Sequence, residues 1–359
     1  MGHCSQLSMQ SGKLDLIQQN HANFALRAFS NWSNIMKSPQ SYILNTGRRV
    51  VKQLRQRNYT FAKAYYQYKL YRSSLRYKGS PLLIYQMGKV GSVTILRSLE
   101  ALELDMPIYH THFLSQHLVD EEEKRRRKYF GTHQAKGPGW QDPRRPWLNQ
   151  YLRNQIKKGS KDKKWKIVTL VRDPISRNTS AFFQSLELKR LDYDHQYQAK
   201  SFFGFETIVD LEDLGPFITI FFEKSDHDTP LVFFDRELKD TFGIDVYSSA
   251  FPKSKGYKIY EEERADVLLI RLENLDECAQ DAFKEFLGID GFTLTNKNVA
   301  GDKPYRALYQ RFLDSIVLPD SYLDRMYTSK YARHFYSEEE INKFKAKWRK
   351  ENAAQEGFK

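Results

Sequence analysis

The apolar run Leu82-Leu83-Ile84-Tyr85 passes directly into the glycine-bracketed segment Gly88-Lys89-Val90-Gly91-Ser92, after which Val93, Ile95, Leu96, Leu99 and Leu102 recur at helical spacing. The predicted order is strand, tight turn, helix. Glycines at 88 and 91 let backbone N–H groups turn inward, the backbone through Val90 and Val93 continues the curve, and the helix that follows adds unpaired N–H groups and a positive dipole end. Ser92 and Thr94 add hydroxyl donors and Lys89 a mobile charge at the lip. Such a corner is a cradle for phosphate or sulfate. It is not the nucleoside-triphosphate motif G-x-x-x-x-G-K-[ST], because the lysine precedes the last glycine.

Three further runs have strand character: Pro107 to Phe113, Trp165 to Val171 and Val267 to Leu272, each separated by helical patterns. The expected class is α/β. A chain of 359 residues can bury a large core, and 40% hydrophobic and 14% aromatic content favour a globular protein. No stretch approaches the roughly 18 apolar residues of a membrane span. The N-terminus lacks a signal-peptide core, and Gln6 stands where acylation at Gly2 wants Ser or Thr. Cys4 and Cys278 are the only cysteines, so a reducing cytoplasm is the expected setting, with peripheral membrane contact left open.

Charge is unevenly spread. Of a net +13, fourteen Lys and Arg fall between Asp15 and Glu100, where there is no acidic residue. An anionic partner is one reading of this block and a solubilising helical face the other. Residues 14–78 read as helices broken at Pro39, with an apolar and tyrosine stripe (Val50, Leu54, Tyr66 and Leu70 among it) that could stack on sugars, meet a membrane interface or dock on the rest of the protein. Peripheral contact with an anionic surface is expected of residues 46–78; nucleic acid is not expected.

The run DEEEKRRRK, Asp120 to Lys128, has acid-to-base pairs at i,i+4 and reads as a solvated salt-bridge helix. Gly131 to Pro146 reads as a long loop and Ser176 to Leu188 as a helix with Phe182 and the stem of Arg177 inward. Thr229 to Tyr260 has no clean period and is expected to build the acceptor side of the site. The C-terminal stretch reads as two helices, the second opened by a capping box of Ser337 and Glu340. His110 and His112, two apart on a strand, share a face. They can be a base and its helper, two metal ligands or two core histidines; with no third ligand of identifiable spacing, a metal site is not expected.

The K-x-G-S-x-T arrangement of Lys89 to Thr94 resembles the 5′-phosphosulfate loop of sulfotransferases that use 3′-phosphoadenosine 5′-phosphosulfate (PAPS). VRDPISRNTSAFF, residues 171–183, resembles their second signature, an Arg closing a strand and a Ser eight residues on. LLIRLENLDECAQDAFKEFLGI, residues 268–289, resembles their third element. With FFDRELKDTFGIDVY and the C-terminal stretch, the chain is similar to the capsular polysaccharide synthesis proteins of that superfamily over roughly residues 80–350.

The resemblance implies a P-loop-like three-layer sandwich on a central parallel sheet: residues 1–79 a basic helical accessory segment, 80–315 the α/β domain, 316–359 helices packed on it. It implies transfer of a sulfuryl group from PAPS to a hydroxyl or amine of a glycan or glycolipid, without a metal. Lys89 would act on the bridging oxygen of the nucleotide, Gly88 to Thr94 would cradle the 5′-phosphate, and Arg172 with Ser180 would hold the 3′-phosphate. Lys303 and Arg306 fall where the family has a basic loop over that phosphate. The base is expected to be His112 or His110, with Glu187 and His133 as alternatives. A nucleotide kinase and a non-catalytic polyanion binder are the rival readings.

Overall fold

The computed structural model describes residues 41–77, 79–131, 145–159, 164–190, 196–201, 206–295 and 306–350. They form two compact units, one within Met1–Arg76 and Asp120–Gln155, the other within Tyr77–Val119 and Ile156–Lys359.

In the first unit, α1 (Ser41–Arg57) and α2 (Tyr59–Ser74) follow one another across Asn58, whose side chain caps α2 by accepting from Phe61 N–H at 2.9 Å. The stripe of α2 docks inside this unit: Ala62, Tyr66 and Leu70 are buried, and Tyr66 stacks on Trp147 of α5 (Arg145–Lys158) at 5.9 Å. The charged run lies on α4 (Gln116–Lys128), but it is not simply a solvated helix. Glu122 and Arg126 are buried, paired at 3.0 Å, with Arg126 over the Trp147 ring, while Glu123 takes Lys63 at 2.8 Å. The i,i+4 spacing was legible; that one pair faces a tryptophan depends on α5, which opens at Arg145, inside the expected loop.

The second unit carries a five-stranded sheet with helices around it, built from β1 (Leu82–Tyr85), β2 (Ile108–Thr111), β3 (Trp165–Val171), β7 (Tyr257–Glu261) and β8 (Ala265–Arg271). Their order in the sheet is β2-β1-β3-β8-β7. The first three and β8 run parallel; β7 is the antiparallel edge. Every residue of β1 and β8 is buried, as an apolar run covered on both faces requires. The α/β class is therefore as the sequence predicts. Helix α3 (Ser92–Glu100) buries Ile95 and Leu99, whereas Val93 and Leu102 stay exposed and Leu102 lies past its end.

The helix expected over Ser176 to Leu188 is α6 (Pro174–Ser185), starting earlier and ending earlier. Leu186–Arg190 is instead β4, joined antiparallel to β5 (Gln196–Ser201) and β6 (Glu206–Asp210) in a second sheet. A periodic apolar pattern could not separate Leu186 as the last inward helical position from Leu186 as the first buried strand position. That sheet shares a phenylalanine-rich core with α6, with α7 (Gly215–Lys224) and with the C-terminal helices α11 (Arg306–Ser315), α12 (Asp320–Tyr327) and α14 (Glu338–Arg349), around Phe182, Phe183, Phe221 and Phe312.

The C-terminal stretch breaks once more than expected: Ser329 caps a separate α13 (Lys330–Phe335), accepting from Ala332 N–H. The Ser337–Glu340 capping box opens α14 as predicted. The unperiodic Thr229 to Tyr260 begins as α8 (Thr229–Phe233), a π-helix (Phe234–Lys239) and the short α9 (Asp240–Phe242), which explains why neither a 3.6 nor a 2 period fits it. The third matched element forms β8, a 3-10 turn at Leu272–Asn274 and α10 (Leu275–Leu287), closed by Gly288 with φ +69°.

Candidate functional site

From β1 the chain goes to β2 on one side, then crosses to β3 on the other. The order therefore reverses at β1, and the crevice beyond the carboxyl ends of β1 and β3 is where an open α/β sheet receives a ligand. Both leading sequence signatures emerge there. After β1 the loop Gln86–Gly91 turns with Lys89 at φ +74° and Gly91 at φ +93°. A Cβ on Gly91 would lie 2.8 Å from Leu272 Cδ1, the end of a flexible side chain that can give way, so it is the positive φ that favours glycine here. Val90 is fully buried and pins the loop, and Ser92, also buried, begins α3. Among the described residues no side chain caps α3, so N–H groups of its first turn are left for a ligand, although Thr94 N–H already donates to Gly91 O at 3.2 Å.

Two guanidinium groups hold the back of this loop. Arg172, just beyond β3, donates from Nη1 to Lys89 O at 3.1 Å, and Arg177 on α6 donates from Nε to Gly88 O at 3.1 Å. These bonds take the loop carbonyls and set positive charge beside its anion-facing side. Burial pushes the Arg177 guanidinium down to about 10, still charged at neutral pH. The sequence offered Arg177 only as an inward stem; its position five residues after Arg172 is the one signal that it belongs to the site. Ser180 lies half-buried one helical turn beyond Ser176, whose own hydroxyl is committed to Asp173.

The junction after β3 is clamped by distant residues. Asp173 caps α6 by accepting from Ser176 N–H at 3.0 Å, accepts from Tyr327 Oη at 2.8 Å, and donates its own N–H to Glu273 at 2.7 Å. Tyr331 Oη donates to Arg172 O at 2.8 Å and accepts from Arg172 N–H at 3.1 Å. Tyr336 Oη donates to Glu273 at 3.1 Å, and Arg271, closing β8, lies over the Tyr336 ring at 4.6 Å while pairing with Glu340. Burial raises the Glu273 carboxyl above its ordinary value. So three tyrosines of α12, α13 and the turn after it fix the backbone on either side of Arg172.

His110 lies on β2 in register with Ile84, and His112 follows one residue past the strand end. The two rings meet edge to face at 4.8 Å, as same-face neighbours should. His112 Nδ1 bonds Gln86 O at 2.9 Å. A carbonyl only accepts, so Nδ1 carries the hydrogen and the neutral ring keeps its lone pair on Nε2. The turn after β2 is held by Glu237, a residue within FFDRELKDTFGIDVY to which no sequence pattern assigns a role: buried on the π-helix, it accepts from Tyr85 Oη at 2.5 Å, Leu114 N–H at 2.6 Å, Ser115 N–H at 2.9 Å and Ser115 Oγ at 2.7 Å. Gln86 itself carries a fully buried amide, neither side-chain atom of which has a hydrogen-bond partner among the described residues.

The chain thus brings together the Lys89 loop, Arg172 and His112. Arg306 is exposed at the start of α11, while Lys303 and His133 lie outside the described residues, as does the side chain of Glu187, whose backbone is in β4. Among the described residues, no group of three or more His, Cys, Asp or Glu could hold a metal, and no helix is long and apolar enough to cross a membrane.

Comparison with known proteins adds one likeness. Residues 207–337 match the model of a family described as "Putative capsular polysaccharide synthesis protein". The match covers a little over a third of the chain. It includes Glu237, Glu273 and the three clamping tyrosines, but neither the Lys89 loop nor Arg172. No curated protein and no solved structure matches the chain.

Proposed function

We propose that this protein acts in capsular polysaccharide synthesis as a sulfotransferase, moving a sulfuryl group from PAPS to a hydroxyl or amine of a glycan or glycolipid. The observation that carries the reading is the Arg172 to Lys89 contact: two signatures 83 residues apart in sequence meet at the switch point of the sheet. The matched family supports the polysaccharide setting, and the resemblance of the loop and of VRDPISRNTS supports the donor.

In this reading the backbone N–H groups of Gly91 to Val93 and the hydroxyls of Ser92 and Thr94 hold the 5′-phosphate, and Arg172 with Ser180 holds the 3′-phosphate. His112 Nε2 takes the proton from the acceptor hydroxyl as its oxygen attacks sulfur in line. The bond from sulfur to the nucleotide oxygen breaks, and Lys89 meets the charge that develops on that oxygen. Sulfuryl transfer spreads charge over its oxygens much as phosphoryl transfer does, so positioned cations and donors carry most of the catalysis.

Thermal shift with 3′-phosphoadenosine 5′-phosphate, with ATP and magnesium, and with a sulfated glycan tests the donor. Stabilisation by the first, lost in Arg172→Ala, is expected; stabilisation by ATP with magnesium alone would make the protein a kinase, and by glycan alone a binder. Labelled PAPS given to pools of glycan acceptors and followed by mass spectrometry then tests transfer. His112→Ala is expected to lower it about a hundredfold.

A further inference from the structure

Helix α1 has an unusual surface for a part of a folded protein. None of its described side chains is buried. Val50 and Leu54, one turn apart, are 43% and 42% exposed, with Val51 half-buried beside them. Arg48, Arg49, Lys52 and Arg57 are exposed, and there is no acidic residue to pair them anywhere in α1 or α2. At 100° per residue Val50, Val51 and Leu54 form one stripe, Arg48 and Arg57 flank it, and Arg49 and Lys52 lie opposite. Arg55 is already committed to the rings of Tyr65 and Tyr66, at 5.4 and 5.5 Å.

The helix joins α2 through Asn58, where the backbone turns extended (φ −118°, ψ 112°): Asn58 N–H closes α1 on Leu54 O at 2.8 Å, and Asn58 O accepts from Ala62 N–H at 3.0 Å to open α2, whose Tyr66 stacks on Trp147. At the far end of α2 the same composition returns. Tyr71 and Leu75 are 47% and 64% exposed, each followed directly by an exposed arginine, Arg72 and Arg76.

A partner must account for both kinds of side chain. A soluble polyanion, nucleic acid or sulfated glycan, would meet the arginines and leave Val50, Leu54 and Leu75 in water. An anionic lipid surface meets both, since phosphate headgroups lie directly above the acyl boundary and a basic helix of this pattern sits between them. We propose that α1 lies in the plane of an anionic membrane surface, Val50 and Leu54 toward the acyl boundary and Arg48 and Arg57 at the level of the headgroup phosphates. This assignment does not depend on the sulfotransferase reading, and its test does not involve turnover.

The test is sedimentation of the full chain with vesicles of phosphatidylcholine, alone or with about one third phosphatidylglycerol. Binding to the anionic vesicles at least about tenfold above neutral ones is expected. The double variant Val50→Ser, Leu54→Ser should weaken it about tenfold, and Arg48→Ala with Arg57→Ala about as much, with helical content and melting temperature unchanged. If the serine variant loses its fold, the arginine pair still decides, because exposed charges do not hold the unit together. Failure of the full chain to bind anionic vesicles would overturn the proposal. So would equal binding to both vesicles, or capture by a sulfated glycan that the serine variant leaves untouched.

Discussion

The Lys89 loop and the clamp around Arg172 lie at the same crevice and are built in opposite ways. The loop is made of neighbours: a buried strand, two residues with positive φ, a buried valine and a helix start, all between Leu82 and Ser92. The clamp is made of strangers: Arg172 and Asp173 are held by Glu273, Tyr327 and Tyr331, the last 159 residues away. A local motif can make an anion cradle, but only long-range contacts aim a second cation at it. The residues matched by the family model include Glu273, Tyr327 and Tyr331 of the clamp but neither Arg172 nor Asp173, and none of the cradle.

If that division is right, damage should separate cleanly. The largest effect is expected from Lys89→Ala, which should lower turnover at least about a hundredfold while leaving the melting temperature close to that of the parent. Unchanged turnover would remove the loop from the chemistry. Glu237→Gln should do the reverse and act first on stability. It replaces a carboxylate that gathers four donors and should cost about 3 kcal/mol by chemical denaturation.

Tyr331→Phe tests the clamp itself. It removes the hydroxyl that both donates to and accepts from the Arg172 backbone, and should cost about 1 kcal/mol while weakening 3′-phosphoadenosine 5′-phosphate binding about tenfold. An affinity equal to the parent's would show that Arg172 is held well enough by Lys89 O alone.

Acid should loosen the same region. Partial burial pushes the Glu340 carboxyl up, but the Arg271 guanidinium and Ser337 N–H outweigh it and hold the group below the ordinary carboxylate range. A carboxyl depressed in the folded state stabilises it above the unfolded value, and that contribution is lost as pH falls through the folded one. The stability gap between the parent and Glu340→Gln should therefore be full at pH 7 and close below about pH 4; a gap constant with pH would place the contribution in packing.

The smallest effect has the opposite sign. Gln86→Met should raise stability by about 1 kcal/mol, since it removes a buried amide that has no partner among the described residues, and a loss of stability would mean that the amide is satisfied in solution by water.

Much of this was legible in the chain. The strand at Trp165–Val171, the loop after β1 and the capping box at Ser337 all rest on interactions within a few residues, which is why pattern and spacing found them. What went unread has a common cause. Leu186 fits the end of a helix and the start of a strand equally; Glu122 and Arg126 look solvated until Trp147 is set against them; Glu237 is one acid among many until the π-helix turns it under Leu114 and Ser115.

The sequence alone determined an anion-binding corner between a buried strand and a helix, because steric rules for glycine and the unpaired N–H groups of a helix start operate within a dozen residues. Which charges face that corner, and the tautomer of His112 beside it, were decided only when the sheet closed in the order β2-β1-β3-β8-β7. Parallel strands are joined by long crossovers, so the groups at their carboxyl ends become neighbours through tertiary packing and leave no periodic trace in the chain.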